Sequence, residues 1–139
     1  MYRKALRIAQ KAHKGQVDKG GNSYIDHPKK VASMVKTKEA RVVAILHDVC
    51  EDTDVTLSDL VKYGFSDKIV DAVDAITMRK DEDYLDYITR VKSNSIASEV
   101  KIADASHNSD LSRIKNPTTE DIERSRRYEK TIKRLKGLM

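Results

Sequence analysis

Residues 39–50 read EARVVAILHDVC, a stretch that is apolar on nearly every side until His47 and Asp48 interrupt it. A helix without a polar face has to be surrounded by other elements, so this segment predicts the central, most buried helix of the fold. The rest of the chain must then supply elements with one apolar face each. Tyr2 to His13 does so, placing Leu6, Ile8, Ala9 and Ala12 on a broad stripe that Gly15 ends. A second helix is expected to open at Pro28, whose fixed φ suits a first turn, and to run through Val31, Ala32, Met34 and Val35 with His27 at its start. Thr56 and Asp59 are spaced as a capping box for a short helix closed by Gly64, and Ser66 caps a run from Ile69 to Met78. Tyr84, Tyr87, Ile88 and Val91 repeat at helical spacing, Ser98 to Asn108 carries Val100, Ile102 and Ala103, and Thr118 or Thr119 caps a last helix through Leu135. No segment alternates convincingly with period two, and VKIAD is the only run that resembles a strand. The expected class is all-α, a compact multi-helix body with Gly15–Ser23 as a surface loop able to wrap a ligand.

At 139 residues the chain suits a single domain, 1–139, and 39% hydrophobic residues suffice for one core despite 35% charged residues. No stretch approaches the roughly 20 apolar residues of a membrane span, and no basic-then-apolar leader opens the sequence. The lone Cys50 cannot form an internal disulfide, and it is expected to face the core as a small hydrophobe; cytoplasm is the expected compartment. Lys+Arg 27 against Asp+Glu 22 gives +5, which suits an anionic ligand but is too small to imply nucleic acid.

The interruption of the central helix is where chemistry is legible. His47-Asp48 is followed one turn later by Glu51-Asp52. At about 100° per residue the four side chains fall within an arc of roughly 140°, on one side of a continuous helix. Carboxylates crowded in this way repel unless a cation neutralises them, and a divalent ion would do so. His27 in YIDHP and Asp104 in KIADASHN are the candidate ligands from elsewhere in the chain. Two imidazoles with two carboxylates suit Mn²⁺, Fe²⁺ or Zn²⁺, and open coordination positions suit phosphate-ester hydrolysis. A His–Asp pair ending a buried helix also fits a structural hydrogen bond, and spacing alone does not choose.

The blocks AHKGQVDKGGNSYIDHP, LHDVCEDT and VKIADASHNSDLSR together resemble the hydrolase domain of the RelA/SpoT family, and especially its single-domain small alarmone hydrolases, within the HD-domain phosphohydrolases. The resemblance runs from Ala12 to the last helix. It implies an HD-domain fold with a metal site between helices, in which His27, His47, Asp48 and Asp104 bind one divalent ion, Mn²⁺ above all. It further implies that Glu51 and Asp52 orient or activate the attacking water. The implied reaction removes the 3′-pyrophosphate of ppGpp or pppGpp, giving GDP or GTP and pyrophosphate. Lys19, Asn108, Arg124 and Tyr128 match positions that hold the nucleotide, and Tyr24 is expected beside it.

Asp18 departs from the family pattern, standing where alarmone hydrolases carry a basic residue. An anion there removes a stacking cation and repels phosphate, which keeps another phosphorylated nucleotide, such as NADPH with its 2′-phosphate, open as substrate. A binding module that senses an alarmone without cleaving it is a further alternative, against which Glu51 and Asp52 argue. His107 is within reach of Asp104 and could orient a ligand, although a structural role is expected for it and for His13. A nucleotide is thus the expected partner, with no stable nucleic acid and no membrane; no synthetase or regulatory segment is expected in this length, and the oligomeric state is not legible.

Overall fold

The computed structural model describes residues 1–17 and 21–138. Its helices are α1 (Tyr2–Ala12), α2 (Asp26–Met34), α3 (Lys38–Leu46), α4 (Val49–Asp52), α5 (Leu57–Lys62), α6 (Asp67–Ile76), α7 (Tyr84–Lys92), α8 (Ser95–Asn108) and α9 (Thr119–Leu135), with a 3-10 turn at Leu111–Arg113. Among the described residues there is no strand, only an isolated antiparallel bridge between Val17 and Ser23 at the base of the glycine-rich loop. The all-α expectation holds, and VKIAD lies within α8.

Helix α3 is the hub. It packs against α1, α2, α6 and α8, and Ala40 and Val42 through Leu46 are all buried. The Thr37 side chain accepts from the Ala40 amide and starts it. The capping boxes at Thr56–Asp59 and Thr118–Asp121 both form, and Ser66 caps α6. Gly64 ends α5 in the left-handed region, at φ +92°. Boundaries shift elsewhere: α2 starts at Asp26, so His27 and Pro28 both sit in its first turn, α6 stops at Ile76, and α8 begins at Ser95 under an Asn94 cap.

One expectation is corrected. The central helix does not run unbroken to Cys50; it ends at Leu46, and α4 restarts at Val49. At Asp48 the backbone moves to φ −103°, ψ −4°, the sparsely populated bridge region in which active-site residues recur. The carbonyl of Ala44, in the last turn of α3, is engaged by Nδ1 of His47. The side chain thereby competes for the helix's own acceptor just where the ladder stops. Cys50 is half-buried against the core rather than enclosed by it.

Candidate metal centre

Three separate elements deliver the predicted ligands. His27 comes from the first turn of α2, His47 and Asp48 from the break between α3 and α4, and Asp104 from the third turn of α8. One ligand atom from each of the four lies within 4.8 Å of the others. His27 Nε2 is 2.7 Å and His47 Nε2 3.1 Å from the same Asp104 Oδ1, and His47 Nε2 is 3.0 Å from Asp48 Oδ2. The Tyr24 hydroxyl donates to Asp48 Oδ2.

Electrostatics bind this group together. Burial disfavours a charged His47, but the carboxylates of Asp48 and Asp104 outweigh it and raise its pKa well above the ordinary value. Asp104 is only 4% exposed, yet His47 and then Lys101 overcome its burial and hold it well below the carboxylate range. Asp48 is lowered in the same way, by His47. Two carboxylates, Asp104 buried and Asp48 half-buried, with two imidazoles presenting Nε2 are a donor set that fits a divalent ion of the manganese, iron or zinc class.

Glu51 and Asp52 stand on α4, exposed and apart from the four-ligand group. Burial and then the charge of Asp48 raise the pKa of both. Glu51 accepts from the Met78 amide at 3.4 Å, while Asp52 lines a separate groove of about 550 Å³ with Lys11 and Asp59.

A cavity of about 320 Å³ opens onto the candidate ligands His27, Asp48 and Asp104. Tyr24 and Tyr128 also line it, together with the polar groups of Lys101, Asn108 and Arg113. Arg124 does not line this cavity; its side chain, 40% exposed, donates to Asp121 one turn earlier on α9. Asn108 is committed to the centre's own scaffold, donating from Nδ2 to Asp104 Oδ1 at 3.2 Å while its Oδ1 accepts from Arg113. Lys19 and Asp18 lie outside the described residues.

Two cations went unread in the sequence. Lys101 donates to Asp104 Oδ2 at 3.3 Å, and its separation of three on α8 is a signal the sequence does contain. Arg113, in the 3-10 turn, donates to the His107 carbonyl and to Asn108. His107 meets His27 edge to edge, and burial, followed by Arg113 and His27, pushes its pKa down to about 4. His13 is buried at the end of α1, with Nδ1 3.2 Å from Gln16 Oε1, its ring against Tyr24 and its Nε2 without a hydrogen-bond partner among the described residues.

An all-helical body whose His-Asp pair closes the innermost helix defines a class of protein: residues 5–123 match the HD domain, and the chain belongs to the HD domain family. Within that class it is 37% identical over 78 residues to the guanosine-3′,5′-bis(diphosphate) 3′-pyrophosphohydrolase of Borreliella burgdorferi, covering 53% of this chain and 12% of that protein. It is 30% identical over 126 residues to the GTP pyrophosphokinase of Myxococcus xanthus, covering 78% of this chain and 16% of that one. The chain thus spans a small fraction of the length of the curated relatives it matches. A solved structure of a metazoan ortholog of SpoT, described as hydrolysing ppGpp, superposes with a TM-score of 0.76 at 21% identity, over 96% of this chain and 84% of that one. That likeness establishes the shared fold.

Proposed function

We propose that this chain is a metal-dependent nucleotide hydrolase that removes the 3′-pyrophosphate of ppGpp or pppGpp, releasing GDP or GTP and pyrophosphate, and that residues 1–139 act as one HD phosphohydrolase domain. The observation that carries this reading is the convergence of His27, His47, Asp48 and Asp104 within 4.8 Å, at a cavity that also holds Lys101 and Arg113. The pyrophosphohydrolase relatives support the choice of substrate.

His27, His47, Asp48 and Asp104 would hold the ion, with manganese the proposed metal. When bound, such an ion polarises a phosphoryl oxygen and acidifies water. The chain's own groups do the rest. Lys101 and Arg113 offset the charge of an incoming phosphate, and Tyr128 contacts the nucleotide from the cavity wall. Lys19 and Arg124 are proposed to reach the nucleotide outside the cavity. Glu51 and Asp52, whose raised pKa values bring them nearer to neutrality than ordinary carboxyls, orient water and accept its proton. Asn108 acts by fixing Asp104 as well as by facing substrate. A cytoplasmic setting belongs to the proposal. Among the described residues no helix is long and apolar enough to cross a membrane.

The test is to incubate manganese-loaded protein with ppGpp and with NADPH in parallel, identifying products by chromatography. Pyrophosphate and GDP from ppGpp are expected. Orthophosphate from NADPH alone would move the reading to the other nucleotide, and tight ppGpp binding without product would make the chain a sensor.

A further inference from the structure

An imidazole can offer a lone pair at Nε2 only while its proton is kept on Nδ1. For His47 the helix itself ensures this, because Nδ1 faces the Ala44 carbonyl, which can only accept. For His27 the partner is a second imidazole. Nδ1 of His27 lies 2.7 Å from Nδ1 of His107, and the two rings meet edge to edge in nearly one plane, with centroids 4.9 Å apart and planes 9° apart. Nitrogens this close share one proton.

The shared proton has two places to be. On His27 Nδ1 it requires a lone pair on His107 Nδ1, so that His107 carries its own proton on Nε2; His27 Nε2 is then bare. On His107 Nδ1 it leaves His27 protonated at Nε2, donating to Asp104 Oδ1 at 2.7 Å with nothing to offer a cation. The backbone of His107 is held meanwhile by Arg113, which donates to its carbonyl at 3.2 Å and to Asn108 Oδ1. Asn108 in turn donates to Asp104 Oδ1, so a loop of hydrogen bonds through Arg113, Asn108, Asp104, His27 and His107 closes only with the shared proton on His107 Nδ1; with it on His27 Nδ1 the His27–Asp104 contact holds no hydrogen.

We infer that His107 is a positioning residue: by accepting the proton of His27 Nδ1 it keeps Nε2 free, and so sets how tightly the centre takes a divalent cation without touching that cation. The inference rests on the proposed metal centre. His107→Phe keeps a ring against His27 but removes the acceptor, whereas His107→Asn returns an acceptor oxygen near the position of Nδ1. Manganese is titrated into each protein by calorimetry, with melting temperatures of the metal-free forms recorded alongside. His107→Phe is expected to bind manganese about 10–100-fold more weakly with little change in melting temperature, and His107→Asn to recover most of that loss. Unchanged affinity in His107→Phe, or an equal loss in both variants, overturns the inference while leaving the metal centre standing. A parent protein that takes up no manganese refutes the centre and the inference with it. Should His107→Phe fail to fold, imidazole ¹⁵N spectra of the zinc-loaded parent decide: His27 protonated on Nδ1 and His107 on Nε2 is expected, and the reverse assignment overturns it.

Discussion

Replacing Lys101 with methionine should cost the metal-free protein far more than the loaded one. Asp104 is a buried carboxylate whose charge is balanced, in the absence of an ion, by His47 and Lys101. At 3.3 Å the Lys101–Asp104 attraction is about 5 kcal/mol for an effective dielectric of about 20. Part of this is recovered, because the ammonium is relieved of its own desolvation and the Lys101 side chain is 21% exposed. Breaking one side of such a pair therefore nets about 3 kcal/mol, the low end for buried pairs. Unfolding a chain of 139 residues carries an entropy of about 0.3 kcal/mol per kelvin, so the melting temperature should fall by about 10 °C. Methionine keeps the stem near the Tyr87 ring, whose centroid lies 5.5 Å from Nζ, so lost packing contributes little. Bound manganese gives Asp104 a second source of positive charge and should shrink the loss to less than half. The assay is thermal unfolding by circular dichroism in chelator and in excess manganese. Equal losses in the two conditions, or no loss in chelator, would refute the electrostatic account.

Glu51→Gln should abolish most turnover yet raise the melting temperature of the metal-free protein, because burial and then Asp48 disfavour the charged form of Glu51. A folded-state carboxyl pKa raised above its unfolded value makes stability fall as pH rises through that interval, so the gain should be full at neutral pH and vanish below the ordinary carboxylate range, as scanning calorimetry across pH will show. The rate of the parent enzyme should decline on acidification at a pH above that of an unperturbed carboxylate, which a pH–rate profile measures. Asp48→Ala should leave less than one-tenth of an equivalent of metal after dialysis, by elemental analysis, where the parent keeps about one. Thr118→Ala breaks the capping box of α9 and should lower the melting temperature by about 3 °C, equivalent to about 1 kcal/mol, with turnover at 25 °C unchanged.

The all-helical class was legible because it depends on local patterns, whereas the four candidate ligands were legible as a set through the resemblance of three sequence blocks to the RelA/SpoT hydrolase domain; the spacing of His47-Asp48 alone fitted a structural pair equally well. The break at residues 47–48 was not legible. Periodicity assumes a continuous ladder, whereas this one stops where the His47 imidazole competes for the Ala44 carbonyl, an event of side-chain geometry. Arg124 and Tyr128 were rightly read as sharing a face of α9, but which of them reaches the cavity depends on how α9 rolls against α8, and there Tyr128 enters while Arg124 turns to Asp121. Lys101 was hidden in VKIAD by its apolar neighbours. The contact of Arg113 with Asn108 exists only once the chain turns back through Leu111–Arg113.

The contact between His27 and Asp104 closes a loop of 77 residues. An emerging polypeptide, translated at about 5–20 residues per second, has to wait several seconds after His27 is made before α8 follows. Through that interval the early half of the chain offers solvent two imidazoles and Asp48 but no completed quartet. At the proposed centre, ion capture would therefore belong to the end of maturation: a nascent chain would be born without it, becoming competent only when its last-made ligand swings in.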